Sequence, residues 1–145
     1  MAPAQKQNKK ITRRSPNTAI LTKTERDTLV LIKSSTPFVS ALKRIDRILE
    51  KFDNISLSAK FRNGEYKSVK YVIIKGMGKS IQKTVSVALH YQSRNYQVDI
   101  YTGTVQVVDT VSSGEIIETR EGPEEQTKNE LRKVSSVEAR IWLKK

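Results

Sequence analysis

Thr28–Lys33 (TLVLIK) is an uninterrupted apolar run with a basic end, and Ser34-Ser35-Thr36-Pro37 follows it directly. A run this short and rich in β-branched side chains reads as a buried strand. Hydroxyls ahead of a proline mark a helix start. Proline suits the first turn, and Ser35 or Thr36 can accept from the orphan amides there. The pattern predicts a helix over Pro37–Phe52, where Phe38, Leu42, Ile45, Leu49 and Phe52 step 4, 3, 4 and 3 into one apolar stripe. Lys43, Arg44, Arg47 and Lys51 lie away from it.

The plan then repeats. Val69–Lys75 (VKYVIIK) reads as a second strand, broken by Gly76-Met77-Gly78. A second helix is predicted over Lys79–Gln92, with an apolar stripe of Met77 or Ile81, Val85, Ala88 and Leu89. Lys79, Lys83, Ser86 and His90 occupy the opposite face. Gln97–Val111 is strand-rich. In Val137–Leu143, apolar Val137, Ala139, Ile141 and Leu143 alternate with Glu138, Arg140 and Trp142, the pattern of a half-buried strand. The order β-α-β-α-β-β predicts an α/β (α+β) fold with a four-stranded mixed sheet and two helices packed on one face.

Around this frame the charge is uneven. Residues 1–24 hold Lys6, Lys9, Lys10, Arg13, Arg14 and Lys23 with no acid, and are expected to form a disordered basic arm for solubility, phosphate contact or nuclear import. The folded domain is expected over 25–145. Within it, 54–68 reads as a polar loop containing Asn63-Gly64, and 112–133 as an acidic flexible loop joining the last two strands. Between Gly114 and Glu130 six glutamates face Arg120 and Lys128, with Gly122-Pro123 in the middle.

Composition narrows the function. The chain has 145 residues, enough for one domain with tails. Its 27 Lys and Arg against 15 Asp and Glu give +12, which favours a polyanionic partner, nucleic acid before membrane. With no cysteine and one histidine, disulfides, thiolate nucleophiles, cysteine zinc fingers and His-rich metal sites are excluded. No cofactor is implied. No stretch has the length or apolarity of a signal peptide or spanning helix, so the chain reads as soluble and intracellular, with no membrane partner.

Gly78-Lys79-Ser80 at a helix start invites a nucleotide-loop reading. That motif needs a glycine five residues before Gly78, where Ile73 stands in a strand. The dinucleotide fingerprint fails at Ile81. A more general site survives. Glycines permit close backbone approach, the helix start offers amides and a positive dipole end, and Lys75, Lys79 and Lys83 surround it. Lys33 and Ser34-Ser35-Thr36 repeat the design at the first helix. Two phosphate-binding turns at one sheet end suit a polynucleotide. Trp142 faces solvent, for stacking on a base, contacting a partner or shielding the sheet.

Three stretches resemble Alba-like nucleic-acid-binding proteins: Lys33–Ile45 (KSSTPFVSALKRI), Ile73–Val85 (IIKGMGKSIQKTV) and Val134–Ile141 (VSSVEARI). Together they are most similar to the small Alba-like subunit shared by ribonuclease P and ribonuclease MRP, in its fungal form. The resemblance spans about Thr28–Leu143 apart from the two loops. It implies an Alba-like fold and a non-catalytic RNA-binding role, with cleavage carried by the RNA. It implies a heterodimer with a second Alba-like subunit on the third paired region of the RNA subunit. Other protein subunits of the holoenzyme and, in yeasts, the telomerase RNA are further implied partners. The roles implied are tRNA 5′-end maturation and rRNA processing, in the nucleus and nucleolus. Lys33 and the Gly76–Lys79 turn match the family's nucleic-acid-facing motifs, and the full set of expected RNA-binding residues is Lys33, Ser34, Ser35, Lys43, Lys75, Gly76, Met77, Gly78, Lys79, Ser80, Lys83 and Arg140. Met77 stands where a basic residue is common. The competing readings are a general Alba-type DNA- or RNA-binding protein of chromatin or translation, and a stand-alone nuclease or ATPase. A one-layered sheet also predicts that the lone chain self-associates or aggregates.

Overall fold

The structure, a computed structural model, describes residues 9–13, 20–53 and 64–144. Among the described residues five strands run β1 (Lys10–Arg13), β2 (Leu29–Ile32), β3 (Tyr71–Met77), β4 (Val98–Thr119) and β5 (Gly122–Trp142). The α-helices among them are α1 (Lys23–Thr28), α2 (Phe38–Asp53) and α3 (Ile81–Ser93). The chain divides into two compact units, through both of which β4 and β5 run.

The larger unit lies within residues 18–104 and 135–145. It holds the β-α-β-α-β-β frame read from the sequence, with neighbours in the order β4-β5-β3-β2. β2 and β3 are parallel, paired Leu29↔Ile73 through Ile32↔Gly76. β5 runs antiparallel to β3, from Tyr71↔Trp142 to Met77↔Ser136. Strand alternation sends Val30, Ile32, Val72, Ile74, Val137, Ala139 and Ile141 into the core, and α2 and α3 cover them. Ile74 and Ile141 are fully buried, and truncating either to alanine costs about 2–5 kcal/mol.

The buried face of α2 is Ala41, Ile45, Leu49 and Phe52, with Leu42 and Ile48 flanking. Phe38, expected in the stripe, is exposed. The second helix departs further from its reading. Its buried face is Thr84, Val87, Ala88 and Tyr91, whereas Leu89 is 54% exposed. The physical reason is Tyr91. Its ring fills the space between the helices while its hydroxyl reaches Asp46 Oδ1 at 2.8 Å and the Leu42 carbonyl at 3.1 Å on α2, which turns α3 about its axis.

Helix α1 was not foreseen, and lies across the boundary of the expected arm. Thr22 Oγ1 accepts from the Glu25 amide while Glu25 Oε2 accepts from the Thr22 amide, a reciprocal cap. Of the expected polar loop, 54–63 lie outside the described residues. Gly64–Ser68 form a short 3-10 turn whose Tyr66 is buried and donates to Asp27 Oδ2 at 2.5 Å.

The smaller unit comprises β1 with residues 105–134. Two expectations are corrected here. The stretch 112–133 is not a loop: β4 and β5 continue through it as a hairpin turning at Arg120-Glu121. Part of the basic arm is likewise a strand, since Lys10–Arg13 pairs antiparallel with β4 from Lys10↔Ser112 to Arg13↔Asp109. Of the 1–24 arm expected to be disordered, 1–8 and 14–19 lie outside the described residues. Cross-strand side-chain pairs hold the hairpin: Arg132 Nε with Asp109 Oδ2 at 2.6 Å, Thr110 with Asn129 at 3.1 Å, and Ser112 with Glu125.

Candidate nucleic-acid interface

Because β2 and β3 are parallel neighbours ending at Ile32↔Gly76, the chain leaves both strands at the same sheet end. Two turns of the same design follow. In the first, Thr36 Oγ1 accepts from the Lys33 amide at 3.1 Å, and the Thr36 amide donates to the Lys33 carbonyl at 3.0 Å. In the second, Ser80 Oγ accepts from the Met77 amide and donates to the Met77 carbonyl, both at 2.8 Å. Each turn is thus closed by a hydroxyl three residues on. α2 starts directly after the first turn, with the Ala41 amide on the Pro37 carbonyl. α3 starts after the second.

The glycines have separate reasons. Gly78 has φ 54°, the left-handed region that favours glycine. A Cβ on Gly76 would lie 2.0 Å from Thr84 Oγ1 and 3.1 Å from the Ser80 carbonyl oxygen. The absence of a side chain at Gly76 therefore lets α3 sit against the strand end.

Lys83 joins the turns. Its Nζ donates to the Ser34 carbonyl at 2.8 Å and the Thr36 carbonyl at 2.5 Å, across from the second helix to the first turn. Around this strut Lys33, Ser34, Ser35, Gly78 and Lys79 are exposed, Met77 is half-buried, and Gly76 and Ser80 are buried. Lys33 and Lys79 make no ion pair among the described residues. The arrangement presents two lysines, two hydroxyls and the amides at two helix starts, which have no intrahelical acceptors.

Three of the residues read from the sequence are not brought to these turns. Lys43 is exposed on α2, about 7 Å along the axis from Phe38. Lys75 and Arg140 point to the sheet face opposite α2 and α3. There Glu138 takes both, at 3.5 Å from Lys75 Nζ and 2.9 Å from Arg140 Nε. The Arg140 guanidinium lies 5.0 Å over the Tyr71 ring and 4.4 Å over that of Tyr101. The hydrogen bond to Glu138, ahead of the nearby tyrosines, raises its pKa further above the ordinary arginine value. Trp142, on the same face, donates from Nε1 to Asp99 Oδ2 at 2.7 Å and meets the Tyr71 ring edge-on at 5.1 Å.

The turn-closing role of Thr36 was not read from the sequence, although a threonine before proline at a strand end is its signal. His90 is half-buried, its ring edge-on to Phe38 at 6.2 Å and to Tyr91 at 5.4 Å. Among the described residues no group of three or more His, Asp or Glu side chains is placed to hold a metal ion, and no helix is long and apolar enough to cross a membrane.

Comparison with known proteins identifies the family. The family described as the Rpp20 subunit of nuclear RNase MRP and P matches residues 25–140. The ribonucleases P/MRP protein subunit POP7 of Saccharomyces cerevisiae is 32% identical over 144 residues, covering 95% of this chain and 94% of that protein. An Alba protein from Thermoplasma volcanium is 19% identical and covers 79% of this chain and 98% of its own, at a TM-score of 0.41, a superposition too loose to bear on function.

Proposed function

The chain belongs to the family of the Rpp20 subunit of nuclear RNase MRP and P, and on that premise we propose that it is a subunit of these particles that binds their RNA without cutting it. One observation carries the reading: Lys83 ties two like turns at one sheet end, leaving Lys33 and Lys79 exposed beside two helix starts. Neighbouring parallel strands are about 4.8 Å apart, so the donors of both turns face one short stretch of a sugar–phosphate track.

In this reading the partner is a second Alba-like subunit, and the heterodimer binds the third paired region of the RNA. The RNA performs the cleavage in tRNA 5′-end maturation and rRNA processing, and the protein resides with it in the nucleus and nucleolus beside the other subunits. Telomerase RNA in yeasts is a further ligand of the same surface. The charge of +12 and the lack of cysteine support a polyanion-binding subunit over a thiol or zinc enzyme.

The test is binding of the heterodimer to the stem–loop across salt. Each phosphate neutralised contributes a slope of about −0.7 to −0.9 in log affinity against log salt. A flat response removes the electrostatic mechanism. Tighter binding to duplex DNA at matched salt replaces the reading with that of a general nucleic-acid-coating protein.

A further inference from the structure

We propose that the outer edge of β4, from Asp109 to Thr119, is a docking edge for a basic extended segment of a neighbouring protein chain, and that β1 is its resident, displaceable occupant. The occupant itself shows what the edge accepts. Lys10–Arg13 (KITR) lies on it in antiparallel register with Asp109–Ser112. All four residues of β1 are exposed, Ile11 at 57%, so β1 brings no buried side chain and is held by its backbone ladder and its charge. A four-residue edge strand of this kind opens readily.

The edge is also longer than its occupant. β4 continues to Thr119, and among the described residues nothing pairs with Ser113–Thr119 on that side. A partner strand running the whole edge makes a longer ladder than β1 does, which offsets the advantage of the tether. The arm states the chemistry of that partner. Glu115 and Glu118 are exposed along the open part, Glu121, Glu124, Glu125 and Glu130 lie at and beyond the turn, and Ile116 is 72% exposed among them. Two such acidic edges repel, which disfavours edge-to-edge pairing of two copies and favours a strand of alternating lysine and β-branched residues.

The experiment uses the full chain and a fluorescein-labelled ten-residue peptide of alternating Lys with Val or Thr. Its controls are the same peptide with Glu for Lys, and one of equal charge interrupted by proline. Anisotropy should show binding of the basic peptide alone, about tenfold tighter to Thr12→Pro, which weakens β1. The chain has no cysteine, so Ile11→Cys with Val111→Cys makes a clean clasp, Cα partners in a ladder lying within disulfide reach. The oxidised clasp should bind the peptide at least tenfold more weakly than the same variant reduced. Hydrogen exchange should place new protection on residues 113–119. Equal binding of the proline-interrupted peptide, indifference to both variants, or protection elsewhere overturns the proposal. So does self-association of Thr12→Pro that the peptide does not dissolve, which assigns the edge to a second copy.

Discussion

The Nζ of Lys83 lies 2.5 Å from the carbonyl oxygen of Thr36, 47 residues earlier in the chain, and 2.8 Å from that of Ser34. An ammonium with two of its three N–H groups on carbonyls positions the turns, and we expect this to be its main part in binding. Lys83→Met should therefore weaken RNA binding by about tenfold, the scale of a charge-assisted hydrogen bond, with the salt slope unchanged. Lys33→Ala and Lys79→Ala should each reduce the slope by about one unit. Salt titrations of the heterodimer on the stem–loop separate the two behaviours. Loss of slope in Lys83→Met returns that residue to the phosphate contacts.

Gly76→Ala places a methyl 2.0 Å from Thr84 Oγ1, and Thr84 is fully buried with its hydroxyl on the Ser80 carbonyl at 2.9 Å. At that distance something in this buried corner must shift, so the substitution should cost about 1–3 kcal/mol. Thr84→Ala removes the nearest obstacle, and the double variant should recover part of the loss. Urea unfolding of the four proteins in the cycle measures the coupling. Stability of Gly76→Ala within about 0.5 kcal/mol of the parent would show that the contact relaxes.

The frame that carries these two positions was legible because burial writes it. Alternation at Val137, Ala139, Ile141 and the apolar run at Thr28–Lys33 place strands wherever one face must be dry. The hairpin beyond Val111 had no such mark. Ile116, Ile117 and Leu131 are exposed, and polar pairs such as Thr110 with Asn129 hold it, so glutamate-rich sequence read as a loop. α1 did have a signal, since Thr22 and Glu25 are spaced as a capping box, but with six residues and only Thr24 and Thr28 buried it carries no apolar stripe. At the interface the turns were visible in Lys33–Thr36 and Met77–Ser80. The engagement of Lys83, and of Lys75 and Arg140 by Glu138, depends on which side of a strand or helix each side chain meets its neighbour, and spacing alone does not say so.

Tyr91 links α3 to α2 and sets an alkaline limit on stability. Burial first, then its hydrogen bond to Asp46, holds its hydroxyl protonated far above the ordinary tyrosine range. The folded value is raised, so the stability it confers is complete below the unfolded value of 10.0 and declines as pH rises above it, where the unfolded chain gains by ionising. Absorbance titration at high pH should show a tyrosine that ionises only with unfolding. Tyr91→Phe should abolish that step and cost about 1 kcal/mol at neutral pH. A parent titration completed by the folded protein refutes the assignment.

Acid should loosen the hairpin before the core. Asp109 is 6% exposed, and its hydrogen bond from Arg132, reinforced by the charges of Arg132 and Arg13, holds its carboxyl below the ordinary value of 3.8. A depressed folded value confers stability that is complete above 3.8 and is lost as pH falls through the folded value. Hydrogen exchange at residues 107–113 and 129–134 should therefore accelerate below pH 3.8, beyond its intrinsic pH trend, while the amides of Val72 and Ile74 keep their protection. Asp109→Asn should show the accelerated exchange at neutral pH and no further acid step, because the ion pair with Arg132 is already absent. Equal acid sensitivity in that variant would assign the loosening to the glutamates of the turn instead.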